Sequence, residues 1–379
     1  MESEDNGRNG IGERNPRALS RREFLRTCAV AAAAVGLPAW TVGRMAAAAA
    51  AGTRPPVIWL HFQECTGCTE TLLRASHPAV SELILDLISL DYHETLFAAA
   101  GTQAEDALRA AVKKGAGKYV CVVEGAIPTR DGGAYCRIGG RPPMDVLREV
   151  ASEAGAVVAV GSCASWGGIP SADPNPTGAV GVPEALQRKS VVCLPGCPPN
   201  PYTLLGTVLQ YATFGTLPAL DGLGRPAFAY ARTIHEECPR RSHFDAGRFA
   251  EKFGDEGHRK GYCLYKTGCK GPRTHANCSL RQFADIPGVW PVGIGHPCVG
   301  CTEPSLAFRM PMHATVEIER PTPPDSYPPI HADRGGVSPA AVGVAGLTIG
   351  ALLGAGAMAA KKLGETKEEK KGEKDEEGK

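Results

Sequence analysis

The sequence predicts an α/β protein: a parallel-sheet domain, an irregular loop-rich region dense in cysteine, and a C-terminal transmembrane helix. Three observations carry that reading. Apolar runs of strand length, Val57–Phe62, Tyr119–Val123, Ala156–Val160 and Val191–Leu194, alternate with helical patterns at Val80–Leu90 and Ala104–Lys113. Of 14 cysteines, most follow those runs or lie among Gly and Pro. A stretch of 21 residues, Ala340–Ala360, carries no charge. The organisation that follows is a leader over 1–51, a sheet domain over 52–215, a cysteine-rich region over 216–330, an anchor over 338–361 and a charged tail over 362–379. Lys plus Arg total 41 against 40 Asp plus Glu, which lacks the basic excess of a general nucleic-acid binder.

The N-terminal segment reads as an export signal. Arg21-Arg22 precedes an apolar run from Ala29 to Trp40 and an alanine tract ending at Ala51, the order of a twin-arginine leader. Cleavage is expected between Ala46 and Gly52, so Cys28 leaves with the leader. Proteins on that route cross the membrane folded, which makes a cysteine-rich substrate a metalloprotein candidate before a disulfide protein.

In a parallel sheet, ligands gather outside the carboxyl ends of the strands. Cys65 and Cys68 follow the first apolar run, Cys163 the third and Cys197 the fourth, so the four thiols are expected at one sheet edge. Gly and Pro around each permit close approach of backbone to a bulky group. Four converging thiolates suit a 4Fe–4S cluster or a zinc ion. Cys121 and Cys193 lie inside apolar runs and read as core residues. Cys136, in a Gly-rich turn, has no assigned role.

The region over 216–330 has little apolar period and must be held by something other than a large core. His235 precedes Cys238 by three, and Cys298-Val299-Gly300-Cys301 repeats the spacing of the first pair. His235, Cys238, Cys263 and Cys269 suit one cluster. Cys278, Cys298 and Cys301 remain, which suits a three-iron cluster lacking a fourth ligand.

At the C-terminus, Ala340–Ala360 at about 1.5 Å per residue spans about 31 Å, close to a bilayer core. Lys361 and Lys362 end the run in accord with the positive-inside rule. Gly346, Gly350 and Gly354 share one helical face suited to packing of another helix.

The stretches Trp59–Glu70, Val123–Pro128, Gly161–Gly168, Leu194–Pro199, His235–Arg241, Cys263–Pro272 and His296–Cys301 together resemble the small subunit of membrane-bound nickel–iron hydrogenases. The resemblance runs from about residue 55 to 320. It implies a flavodoxin-like N-terminal domain holding a proximal 4Fe–4S cluster through Cys65, Cys68, Cys163 and Cys197. It implies a distal 4Fe–4S cluster on His235, Cys238, Cys263 and Cys269, and a medial 3Fe–4S cluster on Cys278, Cys298 and Cys301. Pro291 would stand where a four-iron cluster has its fourth cysteine. The nickel–iron centre belongs to a large subunit, so the chain carries no catalytic residue of its own, with Glu64 placed to assist proton movement. The implied assembly is a heterodimer with that subunit, or a dimer of heterodimers. It would be anchored at the periplasmic face and deliver electrons to a membrane cytochrome b or quinone-reactive subunit. Oxygen-tolerant relatives carry extra cysteines at the positions of Gly67 and Gly168, so the resemblance implies an oxygen-sensitive enzyme. The competing reading is a structural zinc protein.

Overall fold

The computed structural model describes residues 54–76, 88–187, 190–283 and 286–318. It also describes Pro323–Pro324 and scattered positions over 26–47 and 344–362. Residues 1–328 form one unit and 329–379 a second.

Five parallel strands build the main sheet: β1 (Pro56–His61), β2 (Ser89–His93), β3 (Val120–Glu124), β5 (Ala156–Val160) and β7 (Val191–Leu194). A two-stranded ribbon pairs β4 (Ile127–Pro128) with β6 (Ala179–Val180). The order across the sheet is β2-β1-β3-β5-β7. Counting sheet strands along the chain, this is 2-1-3-4-5, the flavodoxin-like arrangement. Register runs without a break from Val57 opposite Val120 to His61 opposite Glu124, and from Val120 opposite Ala156 to Glu124 opposite Val160.

The strands are continuously apolar because both faces are covered. Val57, Trp59, Val120, Val122, Val158, Val160, Val192 and Leu194 point to one face. They meet Leu72 of α1 (Gly67–Leu73) and, beyond it, the last long helix of this region, with Leu204, Leu205, Val208 and Leu209. The alternate residues Ile58, Leu60, Cys121, Val123, Val157, Ala159, Val191 and Cys193 point to the other face. There they meet Leu108 and Val112 of α2 (Thr102–Gly115) and Val146, Leu147 and Val150 of α3 (Pro143–Ser152). Cys121 and Cys193 are therefore core side chains, as expected. Helix ends follow local chemistry. Glu105 sits in the first turn of α2 and Lys113 and Lys114 in its last. α4 (Gly161–Trp166) and α5 (Val182–Leu186) follow. α6 (Pro201–Phe214) starts at Asn200, whose side chain accepts from Tyr202 N at 2.9 Å.

One expectation changes. Ser89 and Leu90, assigned to the end of a helical pattern, open the edge strand β2. The rest of that pattern, 80–87, falls almost entirely outside the described residues, Ile88 aside. Described positions of the expected leader also pack in the same unit: Cys28, Ala32 and Ala46 are buried against the first sheet face.

Among the described residues of 216–318 the helices are short turns, α7 (Ala227–Tyr230), α8 (Arg241–Asp245), α9 (Glu256–Arg259) and α10 (Cys278–Arg281), with 3-10 turns at Tyr265–Thr267 and Gly271–Arg273. A small core of Tyr230, Ile234, Ala250, Leu264, Ala276, Trp290 and Val292 lies among them. In the second unit, residues 350–359 are helical. No helix among the described residues is long and apolar enough to cross a membrane. Several positions of the expected span, including 340–343 and Gly346, lie outside the described residues.

Candidate metal centres

The first thiol group lies at the carboxyl ends of the strands, around the switch point between β1 and β3. Cys65 and Cys68 follow β1, with Cys68 in the first turn of α1. Cys163 follows β5 on α4, and Cys197 follows β7. Gly161 turns the chain out of β5 with φ +85°, and a Cβ there would lie 2.5 Å from Cys68 Sγ. Only glycine lets that backbone pass the sulfur. Burial pushes the Cys68 thiol well above its ordinary pKa, and Glu124, Cys163, Cys197 and Cys65 push it further. Cys163 rises to about 12, from burial and then Cys197. Burial and Cys65 raise Cys197. Four thiols held this close resist ionisation unless positive charge joins them, which is the requirement a metal or an iron–sulfur cluster meets. All 14 cysteines have free thiols, consistent with that role.

Glu124 closes β3 beneath this group and is buried. Oε1 accepts from Cys68 N at 2.9 Å; Oε2 accepts from Thr69 N at 3.2 Å, Thr69 Oγ1 at 2.7 Å and Trp59 Nε1 at 3.2 Å. A carboxylate here satisfies free N–H groups of the first turn and fixes where Cys68 points. His61 Nδ1 lies 3.4 Å from Glu64 Oε1 and 3.8 Å from Glu124 Oε2. Burial lowers His61 to about 4 and His93 to about 3, so both are neutral near pH 7 and these contacts are not ion pairs. Glu64 is not a solvated loop carboxylate. Its side chain is 14% exposed, and burial, then Glu124, raises its pKa. Sequence reasoning missed His61, His93, Thr69 and Trp59. A polar residue ending an apolar strand of a two-sided sheet is the available signal for the two histidines.

A second group joins Cys278, Cys298 and Cys301. Burial raises Cys278 and Cys301 to about 12, followed by Cys298 for the former and by Cys278 and Cys197 for the latter. The backbone of Cys197 works against that rise at Cys301. Pro291 reaches the same loop: its carbonyl accepts from His296 N at 2.8 Å, two residues before Cys298. Tyr230 is buried beside Cys278 and Cys301, its hydroxyl donating to Pro195 O at 2.8 Å. Arg225 lies over that ring and pairs with Asp221 at 2.7 Å and Glu303 at 2.8 Å.

A third group joins Cys238, Cys263 and Cys269. Each is raised first by burial; for Cys238 the neighbouring thiols Cys269 and Cys263 add to it, opposed by the Arg240 N–H. Arg240 N donates to Cys238 Sγ at 3.4 Å. His235 N donates to Gly271 O at 3.2 Å, which ties its segment to that of Cys269. Its ring is buried, edge-on to Phe244, and lowered by burial to about 4. Nε2 finds no hydrogen-bond partner among the described residues. A neutral imidazole with an uncommitted nitrogen is the state a metal ligand requires. Lys270, fully buried, lies between the second and third groups; its N donates to Cys298 O at 2.7 Å and its Nζ to Pro311 O at 3.1 Å.

The thiols thus form a chain of neighbours. Cys197 interacts with Cys301, Cys301 with Cys278 and Cys298, Cys298 with Cys269, and Cys269 with Cys238 and Cys263.

Two family descriptions match. One is "NADH ubiquinone oxidoreductase, 20 Kd subunit", over residues 65–211. The other is the C-terminal part of the "NiFe/NiFeSe hydrogenase small subunit", over residues 230–314. The hydrogenase-2 small chain of Escherichia coli K12 is 51% identical over 347 residues, covering 91% of this chain and 93% of its own. The periplasmic [NiFe] hydrogenase small subunit 1 of Nitratidesulfovibrio vulgaris is 46% identical, covering 79% and 95%. The quinone-reactive Ni/Fe-hydrogenase small chain of Wolinella succinogenes is 47% identical, covering 76% and 82%. A crystal structure of the Ni-Fe-Se hydrogenase from Desulfomicrobium baculatum superposes with a TM-score of 0.64 at 36% identity, covering 69% and 100%.

Proposed function

The chain belongs to the small subunits of nickel–iron hydrogenases, and we propose that it is the electron relay of a membrane-bound, periplasmic member. Cys65, Cys68, Cys163 and Cys197 would hold a proximal 4Fe–4S cluster. Cys278, Cys298 and Cys301 would hold a medial 3Fe–4S cluster, and His235, Cys238, Cys263 and Cys269 a distal 4Fe–4S cluster. When bound, the clusters supply one-electron carriers between the nickel–iron centre of the large subunit and a membrane acceptor. The observation that supports this reading is the unbroken succession of the three thiol groups. The chain's own residues do the rest. Glu124 holds the Cys68 turn, and His235 would contribute a neutral ligand at the end of the row. Glu64, raised and half-enclosed beside His61, is suited to hold and pass a proton at its carboxylate.

The division at residue 215 separates the sheet from the loop region. Residues 1–51 act as a twin-arginine leader and Ala340–Ala360 as the anchor, beside a cytochrome b or quinone-reactive subunit. The Wolinella relative is quinone-reactive by name, which favours that acceptor class. Arg21→Lys with Arg22→Lys should hold the precursor in the cytoplasm. Deletion of 338–379 should release an enzyme that reduces dyes and no longer reduces quinone. The proximal site holds Gly67 and Gly168 where oxygen-tolerant enzymes carry cysteine. At Gly168, φ is +49° and a Cβ would stand 2.6 Å from Cys163 Sγ, so a side chain there requires the Cys163 turn to shift. Hydrogen oxidation at an electrode should stop when several per cent oxygen is admitted; sustained current would refute the oxygen-sensitive assignment. Hydrogen-dependent dye reduction by the purified complex, with iron in this chain and nickel in its partner, tests the function as a whole.

A further inference from the structure

Ser162 stands immediately before Cys163, in the first turn of α4. A serine there ordinarily bonds to the backbone of its own turn. This one finds its partners elsewhere. Its hydroxyl donates to Cys301 O at 2.6 Å, across 139 positions of sequence, and accepts from Gly196 N at 3.0 Å. Its own N–H donates to Gly196 O at 2.9 Å. Ser162 is 1% exposed, so these partners have no solvent to replace them. One buried hydroxyl therefore joins three ligand loops: those of Cys163 and Cys197 in the first thiol group and that of Cys301 in the second.

The join has a consequence for the ligands. Cys197 follows Gly196, and its thiol interacts electrostatically with that of Cys301. The run Gly196 N–H to Ser162 Oγ, and Ser162 O–H to Cys301 O, is a direct hydrogen-bonded connection between a loop of the first group and a loop of the second. Tyr230 and Arg225 brace the same place from the other side. The Tyr230 hydroxyl holds Pro195 O at 2.8 Å, and Arg225 Nη1 holds Thr302 O at 3.1 Å. The loops at 195–197 and 301–302 are thus pinned at both ends, with the Cys197–Cys301 contact between the pins.

We propose that the Ser162 hydroxyl is a positioning residue that clamps the Cys163, Cys197 and Cys301 loops together and so maintains a hydrogen-bonded path for single electrons between the proximal and medial sites. The inference rests on the cluster assignment above. In each crossing the proximal group loses one electron and the medial group gains it, and no bond or proton changes hands. Electronic coupling falls steeply across empty space and more gently along covalent and hydrogen bonds, so loss of the Ser162 hydroxyl bridge slows transfer. The hydroxyl also points its partial positive charge at the Cys301 carbonyl, which stabilises added negative charge on the medial group, and its loss makes that group harder to reduce.

The test uses the hydrogenase complex with Ser162→Ala and Ser162→Thr. Electron paramagnetic resonance of the oxidised enzyme reports the three-iron signal. A redox titration reports its potential, and the magnetic interaction between the two groups reports their coupling. Ser162→Ala should keep the signal and all the iron, with the medial potential shifted negative and the interaction weakened. Ser162→Thr, which keeps a hydroxyl, should restore both. Unchanged potential and interaction in Ser162→Ala would overturn the clamp. If Ser162→Ala does not accumulate with iron, Tyr230→Phe frees Pro195 O at the other end of the loop. A negative shift of the medial potential supports the clamp there as well, and an unmoved potential refutes it. Absence of any three-iron signal in the unaltered enzyme refutes the cluster assignment instead, which separates the two failures.

Discussion

The sheet region and the loop region of this chain are stabilised by different physics. Over 54–215, two layers of Val, Ile, Leu and Ala enclose five parallel strands, and backbone ladders satisfy the polar groups. Over 216–318 the apolar core is small and the helices last about one turn. There the backbone is tied by side chains: Arg225 to Asp221 and Glu303, Glu303 to His275, Lys270 to Pro311, and Thr302 to His275 O. Six buried or half-buried cysteines lie inside that frame. On the proposed assignment, a region with so little apolar burial would need its ligated groups in order to fold. The sheet region would not, since its thiols sit at the strand ends, Cys68 and Cys163 on short helices, beside a core that is apolar throughout.

The largest effect should come from removing the groups. Stripping iron with a chelator under reducing conditions should abolish amide-exchange protection over 216–318 and leave it in β1, β3 and β5; uniform loss would contradict the division. On the same logic, Cys278→Ser should eliminate the three-iron signal, and survival of that signal would displace Cys278 from the medial set. Next in size is Arg225→Ala, which leaves two half-buried carboxylates without their cation. It should destabilise the loop region by about 3–5 kcal/mol. Leu147→Ala opens a cavity under the sheet at about 3 kcal/mol, and denaturant unfolding followed by region should separate the two.

Acid sharpens the contrast. His61 and His93 titrate near 4 and 3 when folded and near 6.5 when unfolded. The unfolded chain therefore binds more protons as pH falls from 6.5 toward 4, and stability falls in that window, by roughly 2 kcal/mol for each histidine at the lower end. His93→Asn should flatten the pH profile of the sheet region. The smallest effect belongs to Lys266→Ala, which removes an exposed pair with Glu251 and should cost under about 1 kcal/mol.

What is readable in the sequence follows the same division. The strands over 120–124, 156–160 and 191–194 are legible because a strand buried on both faces is apolar throughout. Their carboxyl ends then locate Cys163 and Cys197. Strand β2, Ser-Leu-Asp-Tyr-His, is not legible. It lies at a sheet edge with only its last two residues buried, so it shows no continuous apolar run. In the loop region cysteine spacing places the ligand candidates, but nothing local marks the partners of Arg225, Lys270 or Ser162. Their contacts span 78, 41 and 139 positions, and only the folded chain brings them together. The enclosure of Glu64 is hidden for the same reason: Glu124 and His61, which surround it, come from two different strands.

The central claim is that three thiol groups in succession hold iron–sulfur clusters of two kinds. Metal analysis joined to a redox titration of the purified complex, read by electron paramagnetic resonance, tests it most directly. The expected result is a brown protein with iron and sulfide, one three-iron signal when oxidised, and two four-iron signals appearing in turn on reduction. A colourless protein carrying zinc, or iron with no three-iron signal in any oxidation state, would contradict it.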